Sequence, residues 1–452
     1  MSDTVMLIGS GTREHKMAKA LNASPHVGKI IWAPGNAGAY SLDKVVKGLD
    51  YNQLKNPGDY LALAKEAGVQ FATTGMEQYL FQGMADTFRD NGIRFFGPGI
   101  IGAELERQKA IAKCYLTEWG VPTADFGIFA SAEKAGTHVF SEPPDKYVKV
   151  SGPALGKGAL HARNSTEAMA AIYRAKKEFG DSAKLLVIED TMLGTEASDH
   201  VFMNTRPPEG RNPVLLRQKL SKDYKRVGEI YRKDAAGGMV AKGDVGDQTG
   251  GMAAYSVPSF CTEEVSRNVH DRILLPIFSG LMDRGIEYCG VMYTALMIDN
   301  RGNPRVVEIN VRPGSPESEV SDDGKDVYEV MNGVIDGTIE PGDAGLVKKF
   351  TIGIVLVSGP VDGRPGYPDP NYKKGYPIEG LDEIDEDVGV LLGGVMSPDG
   401  GKTHITSGGR VMMLVASDED PKKAKAKVLA NAESVRYPNK YYRDDVAYEE
   451  GA

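Results

Sequence analysis

The sequence has little cysteine and no long apolar run, and each shortage excludes a class of protein. Its three cysteines, Cys114, Cys261 and Cys289, are odd in number, scattered and without the spacing of a metal site. We therefore expect buried free thiols rather than disulfides or zinc ligands. No apolar stretch approaches the ~20 residues that span a bilayer, and the N-terminus enters a strand pattern without a leader-like segment. These features favour a cytoplasmic protein with no membrane partner.

The chain also lacks an excess of basic residues. Lysine and arginine together number 53 against 62 aspartates and glutamates, which gives a net charge of -9 and a pI near 5.5. A nucleic-acid-binding domain usually needs a basic face for the phosphate backbone, so we expect no nucleic acid partner. Hydrophobic content of 41% and charged content of 25% are ordinary for a globular protein. The 452 residues leave room for roughly three domains.

Residues 1–103 alternate apolar runs with helical patterns in the order β-α-β-α-β-α-β. This order predicts a small parallel sheet with helices on both faces. Ligands of such sheets bind beyond the carboxyl ends of the strands. The candidate substrate-binding residues in the loops at those ends are Gly9, Gly11, Arg13, Glu14, Asn36, Gly75 and Glu77.

The first of these loops begins like a dinucleotide-binding loop but lacks the rest of the motif. Glu14 replaces the third glycine, and the second strand ends in Trp32 and Ala33 where an acidic ribose ligand is expected. Glycine-rich backbone amides with Arg13 at a helix N-terminus instead suit a single phosphate. The alternative is that Arg13 and His15 lie in a solvated first helical turn.

Residues 145–161 have the pattern of a strand, a glycine-rich loop carrying Lys157, and a second strand. A Walker-type phosphate loop is excluded, because the glycine spacing is one residue short and no Ser or Thr follows the lysine. The backbone amides of Gly156 and Gly158, together with Lys149 and Lys157, suit ATP phosphates held under a lid. An ordinary hairpin with an exposed lysine is the alternative.

Helical patterns flank this loop on both sides. One helix is predicted over residues 104–120, and another after a cap within residues 164–165. The apolar run Leu185–Ile188 predicts a strand, and the chain beyond Glu189 suits a hinge whose backbone contacts adenine. Glu196 is then placed to accept the ribose hydroxyls, although a lone glutamate after a strand is usually just solvated.

The strand pattern that ends at Arg312 places Glu308, Asn310 and Arg312 on one face. A carboxylate and an amide oxygen two residues apart are hard ligands that suit Mg²⁺. Arg312 beside them suits a transferring phosphoryl group. The alternative is the polar face of a half-exposed strand. Residues 330–452 predict a third unit with three strands and a closing helix over Pro421–Ser434, and no chemistry of its own.

Taken together, these motifs resemble the ATP-grasp superfamily and, within it, the glycinamide ribonucleotide synthetase family. The resemblance covers nearly the whole chain. The matching segments are GSGTREH (9–15), APGNAG (33–38), LERQKAIAK (105–113), KVSGPALGKG (149–158), VIEDTMLGTEAS (187–198), DYKR (223–226), QTGGMAAYS (248–256), VEINVRPGSPE (307–317), GYPDPNYKKG (366–375), SGGRV (407–411) and KYYRDDVAY (440–448).

The resemblance implies an α/β chain of three domains. These are an N-terminal parallel α/β domain (1–103) that binds phosphoribosylamine, a central ATP-grasp domain (104–328) with a lid subdomain at about 122–190, and a C-terminal mixed α+β domain (329–452). It implies ATP and Mg²⁺ or Mn²⁺ as cofactors and small-molecule partners. The expected assembly is a monomer or weak homodimer.

The implied reaction joins glycine to 5-phosphoribosylamine at the expense of ATP. In this reading Lys109, Lys149, Gly156, Lys157 and Gly158 bind the ATP phosphates, Glu189 and Glu196 the nucleoside, and Glu308 and Asn310 the metal. Arg312, Lys157 and Asp223 are the catalytic candidates. The further substrate-binding candidates are Lys225, Arg226, Thr249, Gly250, Gly251, Ser315 and Glu317.

The chain departs from the family pattern near the acceptor. Lys222 and Tyr224 stand where the family usually has Gln and His, and Ser315 stands where it has Asp. The segment 227–243 also looks longer than usual. Loss of the carboxylate at Ser315 predicts weak glycine binding that a Ser315→Asp change tightens, unless Asp223, Glu317 or that segment compensates. Two alternatives follow: a ligase for another amino acid or phosphorylated amine, and a silent nucleotide-binding paralogue.

Overall fold

The computed structural model describes residues 2–49, 51, 53–141, 145–154, 157–321, 324–340, 342–343 and 349–451. Its N-terminal part contains four parallel strands, in the spatial order β2-β1-β3-β4. They are β1 (Asp3–Gly9), β2 (Val27–Pro34), β3 (Phe71–Thr74) and β4 (Arg94–Phe96). The accompanying helices are α1 (Thr12–Ala23), α2 (Pro57–Glu66), α3 (Glu77–Phe81) and α4 (Met84–Arg89). This confirms the predicted parallel α/β arrangement.

The helix predicted over 104–120 is two helices, α5 (Ile100–Arg107) and α6 (Lys109–Glu118). Gln108 between them is extended, with φ -129° and ψ 98°. The cause lies in the lid: the amide of Lys109 donates to the carbonyl of Ser151 at 2.9 Å, and the amide of Ala110 donates to Ser151 Oγ at 3.1 Å. These bonds use the first amides of α6 and hold the break open.

The lid is a four-stranded antiparallel sheet in the order β5-β8-β6-β7, with two helices packed on it. Its elements are β5 (Phe126–Phe129), α7 (Ala132–Ser141), β6 (Lys146–Val150), β7 (Ala159–Ala162), α8 (Ser165–Phe179) and β8 (Leu186–Asp190). The side chain of Asn164 caps α8 by accepting from the amide of Glu167. The strand, loop, strand and helix predicted for this region are confirmed.

A sheet of thirteen strands forms the rest of the described fold, with the backbone order β12-β13-β23-β18-β14-β11-β9-β10-β17. β15 pairs with β9 and β16, while β22 pairs with β18 and β19. The strands of this sheet are β9 (Thr195–Asn204), β10 (Val214–Arg217), β11 (Ser221–Arg226), β12 (Glu229–Lys233), β13 (Met239–Lys242), β14 (Gln248–Ser256), β15 (Cys289–Ile298), β16 (Pro304–Asn310), β17 (Gly342–Asp343), β18 (Phe350–Ser358), β19 (Gly389–Leu392), β22 (Arg410–Asp418) and β23 (Lys440–Arg443). The strands β20 (Val395–Met396) and β21 (Ile405–Thr406) form a separate antiparallel pair.

Five further helices pack on this sheet or connect its strands: α9 (Glu263–Val269), α10 (Leu275–Asp283), α11 (Glu317–Val320), α12 (Val327–Asp336) and α13 (Pro421–Ser434). The helix predicted near 263–284 is continuous through α9 and α10 but passes through a π-helical turn at His270–Leu274. Pro276 follows that turn and has no amide to donate, which favours such a widened turn before it. None of the described helices is long and apolar enough to cross a membrane.

The large sheet joins chain segments on both sides of residue 328. β14 pairs antiparallel with β18, with Ala253 opposite Ile354, and β13 pairs with β23. The long segment 227–243 supplies β12 and β13, a hairpin at one end of this sheet. The domain boundaries stay a prediction, since the sheet itself is continuous there.

The rear of β11 is covered by residues from the far end of the chain. Lys222 forms an ion pair with Glu449, and Tyr224 Oη donates to Glu449 Oε2 at 2.5 Å. The amide of Ala447 donates to Tyr224 Oη at 2.7 Å. The ring of Tyr448 lies 5.9 Å from Lys222 Nζ. We call residues 447–450 the β11 clamp.

All three cysteines are free, as predicted, but none of them is fully buried. Cys114 is exposed on α6, and Cys261 and Cys289 are partly exposed. The prediction of burial is wrong for Cys114, which lies on the solvent face of its helix, whereas Cys261 and Cys289 are buried enough that desolvation raises the pKa of both thiols.

Candidate active site

A cleft of about 240 Å³ lies between the lid sheet and the large sheet. Segments far apart in sequence contribute to it, because β6, β8, β11 and β16 all turn side chains toward the same space. Of the predicted residues, the cleft contains Lys109, Lys149, Gly158, Glu189, Glu196, Asp223, Lys225, Thr249, Gly250, Glu308, Asn310, Arg312, Ser315 and Glu317. Most of the residues predicted from the sequence to form the site therefore lie together in one cleft.

Glu308 and Asn310 lie side by side at the end of β16, with Asn310 Nδ2 3.5 Å from Glu308 Oε1. Burial favours the neutral acid, but nearby positive charges outweigh it and lower the pKa of Glu308 to about 2. In order of effect, those charges belong to Lys109, Lys225, Lys149 and Arg312. Glu308 is therefore an anion at neutral pH. The ionised carboxylate of Glu308 fits a hard divalent cation such as Mg²⁺, whereas Asn310 turns Nδ2 toward Glu308 and Oδ1 toward Arg312, so its amide would have to rotate to add an oxygen ligand.

Arg312 is held by carboxylates from two other elements. Its Nε lies 3.2 Å from Glu77 Oε2, and its Nη2 lies 3.1 Å from Glu106 Oε1. Nη2 also donates to Asn310 Oδ1 at 3.1 Å. Burial raises the pKa of Glu106 to about 7, against the opposing charge of Arg312. Glu77, predicted to bind substrate, thus fixes the guanidinium of Arg312.

Two lysines share the carboxylate of Glu189. Lys149 Nζ donates to Glu189 Oε2 at 2.9 Å, and Lys113 Nζ lies 3.2 Å from the same oxygen. All three side chains are almost fully buried. Burial, together with the charge of Lys149, lowers the pKa of Lys113 to about 8, although Glu189 opposes the shift. Glu189 therefore positions two cations, and its contact with a nucleoside stays a prediction.

Lys157 and Arg226, predicted to bind ATP and substrate, lie outside the cleft. Lys157 is exposed, and both it and Arg226 line a separate groove on the outer side of the lid loop. Arg226 Nη1 donates to the carbonyl of Gly246 at 2.8 Å. Gly156 lies outside the described residues. Gly158 is buried, and a Cβ there would lie 2.5 Å from Val150 Cγ2, so the loop needs glycine at this point.

Asp223 and Lys225 project from the front of β11 into the cleft. Their charged atoms are 3.7 Å apart, and Lys225 Nζ lies 3.6 Å from Glu196 Oε2. Burial and the carboxylates of Glu317 and Glu196 raise the pKa of Asp223, with Lys225 opposing. Burial disfavours the charge on Lys225, but Asp223 and further anionic neighbours raise its pKa above the ordinary value. Lys225 is a permanent cation here.

Glu317 forms the buried floor of the cleft. Tyr293 Oη donates to Glu317 Oε1 at 2.8 Å, and Ser198 Oγ donates to the same atom at 3.4 Å. Nearby, Gly251 has φ +109°, and a Cβ there would lie 2.2 Å from Pro316 Cδ. Glycine at 251 is thus required by the backbone that carries Glu317.

A second cavity of about 620 Å³ lies between the N-terminal sheet and the C-terminal strands. Its predicted lining residues are Gly11, Arg13, Glu14 and Asn36. The opposite wall comes from Gly394, Ser407, Gly408 and Arg410. Ser315 lines both cavities, so they meet at that residue. Residues 330–452, for which the sequence predicts no chemistry of their own, thus contribute one wall of this cavity.

The glycines of the first loop are needed because Glu14 is buried. The amide of Gly11 donates to Glu14 Oε2 at 2.6 Å. A Cβ at Gly9, where φ is +127°, would lie 2.7 Å from Glu14 Cγ, and one at Gly75 would lie 2.3 Å from Glu14 Oε1. Arg13 Nε lies 3.3 Å from Glu14 Oε1, so the arginine predicted to bind phosphate already has a carboxylate partner.

Arg410, unlike Arg13, is bonded to backbone carbonyl groups rather than to a carboxylate. Its Nη1 donates to the carbonyls of Gly250 at 2.6 Å and Ser315 at 2.9 Å. Among the described residues no carboxylate forms an ion pair with it. Arg410 therefore offers the second cavity a cation that is not neutralised by an acid.

Comparison with known proteins gives the family. The three descriptions that match are the Phosphoribosylglycinamide synthetase N domain at residues 3–106, its ATP-grasp (A) domain at 107–318 and its C domain at 353–449. The phosphoribosylamine–glycine ligase of Pseudomonas aeruginosa is 34% identical over 450 residues, with 98% of this chain and 97% of the relative covered. The chain belongs to the phosphoribosylglycinamide synthetase family.

Other members and neighbours agree. The ligase of Ralstonia nicotianae is 33% identical, and 98% of each chain is covered. The crystal structure of phosphoribosylamine–glycine ligase from Thermotoga maritima has a TM-score of 0.76 at 27% identity and covers 98% of this chain and 100% of that one. A biotin carboxylase from Campylobacter jejuni, at 15% identity with a TM-score of 0.71 over 98% of this chain and 93% of that one, shares the fold. The central part of this synthetase-family chain is thus an ATP-grasp domain, as predicted.

The sequence reasoning missed four residues at the site: Lys113, Glu106, Arg410, and Glu319, which accepts from Ser315 Oγ at 2.6 Å. Three of them lie inside segments that match the family, namely 105–113 and 407–411. The motif alone does not say which of its side chains turn inward, because that depends on partners such as Glu189, Arg312 and Ser315 from other elements. Glu319 lies just past such a segment and carried no signal of its own.

Proposed function

We propose that this chain is an ATP-dependent ligase that joins glycine to 5-phosphoribosylamine and forms glycinamide ribonucleotide, ADP and phosphate, a step of purine synthesis. One observation carries the proposal. Glu308 and Asn310 lie in a cleft with Lys109, Lys149, Lys225 and Arg312, and that cleft opens at Ser315 into a second cavity. The names of the relatives support glycine and phosphoribosylamine as the substrates. They do not favour the alternative acceptors.

The reaction has two group transfers. An oxygen of the glycine carboxylate attacks the γ-phosphorus of ATP, ADP leaves, and an acyl phosphate forms. The amino nitrogen of phosphoribosylamine then attacks the acyl carbon, phosphate leaves with the bonding electron pair, and the nitrogen loses a proton. Phosphoryl transfer needs positioning and charge neutralisation more than covalent participation by the protein. No residue of the chain is therefore assigned as a nucleophile.

The basic residues of the cleft have separate tasks in this proposal. Lys109 and Lys149 neutralise phosphate oxygens, and Glu189 with Lys113 fixes Lys149 in place. Arg312, aimed by Glu77 and Glu106, stabilises the transferring phosphoryl group. When bound at Glu308 and Asn310, Mg²⁺ or Mn²⁺ supplies further positive charge for the phosphates.

Asp223 is the candidate acceptor for the proton that the attacking amine loses. It is buried, and its raised pKa brings it nearer to the range in which a carboxylate takes up a proton at neutral pH. The positive charge of Lys225 beside it offsets the negative charges of Asp223 and Glu196. Glu196 and Glu189 remain our candidates for contacts with the nucleoside of ATP.

The second cavity is the proposed site of the phosphoribosyl group. Gly11, Gly35 and Asn36 line one wall, while Arg410 on the other supplies the cation for the phosphate. The amine end then lies toward Ser315 and the cleft. Arg410→Met is expected to raise the KM for phosphoribosylamine at least about tenfold, because a charge-assisted bond of ~1.5–3 kcal/mol is lost. The KM for ATP should stay unchanged.

The remaining predictions concern the setting. We propose a monomer or weak homodimer that works in the cytoplasm on small molecules and binds no nucleic acid. The three free cysteines support a reducing compartment.

The test is a coupled ADP-release assay with a panel of amino acids, each with and without freshly made phosphoribosylamine. The proposal expects release that requires glycine and the amine together. If another amino acid gave as much ADP release as glycine, that amino acid would take the place of glycine as the proposed substrate. If no amino acid gave ADP release, the result would support the silent nucleotide-binding paralogue.

A further inference from the structure

Glu319 is a buried carboxylate at the junction of the two cavities. Its side chain belongs to α11, four residues beyond Ser315, and it is 2% exposed. Among the described residues it forms no ion pair. A buried charge without a cation is costly unless hydrogen bonds or a ligand compensate it.

Three hydroxyl groups supply that compensation. Ser315 Oγ donates to Glu319 Oε1 at 2.6 Å, and Thr12 Oγ1 donates to the same oxygen at 2.7 Å. Ser318 Oγ donates to Oε2 at 2.9 Å. The partners come from both the N-terminal domain and the loop after β16, so the carboxylate sits where those parts meet.

Ser315 connects this carboxylate to the substrate spaces. It lines both cavities, whereas Glu319 lies behind it. Because its proton is directed to Glu319, Ser315 Oγ turns its lone pairs away from the carboxylate. Arg410 Nη1 donates to that Oγ at 3.4 Å and to the carbonyl of Ser315 at 2.9 Å. The hydroxyl therefore keeps one acceptor lone pair for a ligand, with the carboxylate of Glu319 behind it and the guanidinium of Arg410 beside it.

We propose that Glu319, acting through Ser315, supplies negative charge to the wall that the two cavities share, and that this pair binds the protonated amino group of the amino-acid substrate. The inference rests on the proposed function, because it assigns the charge to the glycine side of the reaction. Ser315 is the contact residue and Glu319 a positioning residue. The ligand class is a primary ammonium carried by a small carboxylic acid.

The position of Glu319 reverses the expectation for Ser315→Asp. A carboxylate at 315 would lie beside the carboxylate of Glu319, and two such groups cannot both stay ionised without cost. Ser315→Asp alone should therefore weaken glycine binding. The double change Ser315→Asp with Glu319→Gln moves the charge to position 315 and should restore it.

The test measures KM for glycine and for ATP in the full chain. Glu319→Gln should raise the glycine KM about tenfold, because a charge-assisted contact becomes a neutral one, and leave the ATP KM within about twofold. Ser315→Asp should raise the glycine KM by a similar factor, and the double variant should return to within about threefold of the wild type. Glu118→Gln is the matched control, since it makes the same chemical change at a carboxylate that pairs with Arg284 and lines neither cavity, and it should leave the glycine KM unchanged.

Several outcomes overturn the inference. They are a glycine KM of Glu319→Gln within about twofold of the wild type, a Ser315→Asp variant that binds glycine more tightly, or a double variant without rescue. If Glu319→Gln does not fold, Ser315→Ala tests the same contact, and an unchanged glycine KM there counts against it. Failure of the proposed function is separate: the wild type would then use another amino acid, and the same variants are compared on that substrate.

Discussion

Single residues decide how charge is arranged in the cleft. Lys113 and Lys149 share one carboxylate, and burial leaves Lys113 easy to deprotonate. The segment 105–113 was recognised in the sequence, but only Lys109 was selected from it. The pairing of Lys113 with Glu189 depends on a strand some 75 residues further on, which periodicity does not reveal.

The pH dependence of kcat/KM for ATP should follow the loss of the proton from Lys113. Its pKa is about 8, below the ordinary value of 10.5, so the side chain loses its charge as pH rises through 8. Glu189 then attracts Lys149 alone, and kcat/KM for ATP should fall about fivefold, which corresponds to a loss of ~1 kcal/mol. Initial rates below and above pH 8 measure this.

The Lys113→Met variant is the comparison. Its kcat/KM for ATP should already be low at neutral pH and should not fall further through pH 8. A variant that retains the full decline would show that another group titrates.

Glu308 should contribute both to catalysis and to acid stability. Its pKa is lowered from 4.5 to about 2, so the folded state favours the anion, with a stabilising effect of about 3 kcal/mol that is present above pH 4.5 and lost as pH falls toward 2. Glu308→Gln should lower kcat about 10²-fold or more. It should also reduce the free energy of unfolding at neutral pH.

Chemical denaturation at neutral pH and at about pH 3.5 separates these effects, because the stability difference between wild type and Glu308→Gln should shrink on acidification. Calorimetric titration with Mg²⁺ and an ATP analogue should show loss of metal-dependent binding. A Glu308→Gln variant with normal turnover at limiting Mg²⁺ would show that Glu308 is not a metal ligand.

At the scale of elements, β11 is the strand on which the acceptor side depends. Its ladder with β14 shifts register between Tyr224 and Arg226, and it pairs with β9 only at Ser221. Asp223 and Lys225 therefore lie where backbone pairing is incomplete. The β11 clamp, residues 447–450, holds the opposite face.

The clamp gives a prediction for Lys222. Lys222→Gln breaks the ion pair with Glu449 and should raise the KM for glycine about threefold to tenfold, because small displacements of positioning groups are costly. The KM for ATP should change less. Steady-state kinetics with each substrate varied in turn gives both values.

Lys427→Gln is the matched control, since it removes another lysine–carboxylate pair, with Asp387, away from β11. It should leave both KM values unchanged. Equal effects of the two changes would mean that the clamp contributes only general stability.

Much of the fold could be predicted from the sequence, and the exceptions share a cause. Strand and helix patterns gave the N-terminal sheet, the lid and the helix Pro421–Ser434, because each has a local period that one segment contains. The break at Gln108 depends on Ser151, and the hairpin β12-β13 depends on β23. The outward placement of Lys157 and Arg226 and the role of Arg410 likewise depend on neighbours distant in sequence.

At the scale of the whole molecule, one sheet unites the ATP-grasp part with the C-terminal part. Ala253 and Tyr255 of β14 belong to the same apolar cluster as Ile352 and Leu414. Without residues 349–452, β14 would present an unpaired edge and an uncovered apolar face, which promotes aggregation.

Expression of residues 1–340 alone should therefore give insoluble protein. Co-expression with residues 349–452 as a separate chain should recover soluble, paired fragments, as judged by co-purification. As a control, the full-length chain should remain soluble under the same conditions. Soluble, monomeric 1–340 would show that the shared sheet is dispensable.

The pairing of β14 with β18 also sets an order of events at the ribosome. The end of β14 leaves the exit tunnel well before Phe350 begins β18, and at ~5–20 residues per second this interval lasts roughly 5–20 seconds. Throughout that time the nascent chain carries an open strand edge beside a complete N-terminal sheet. Translation speed between residues 256 and 350, and the chaperones present there, are therefore expected to govern the yield of native protein more than changes upstream do.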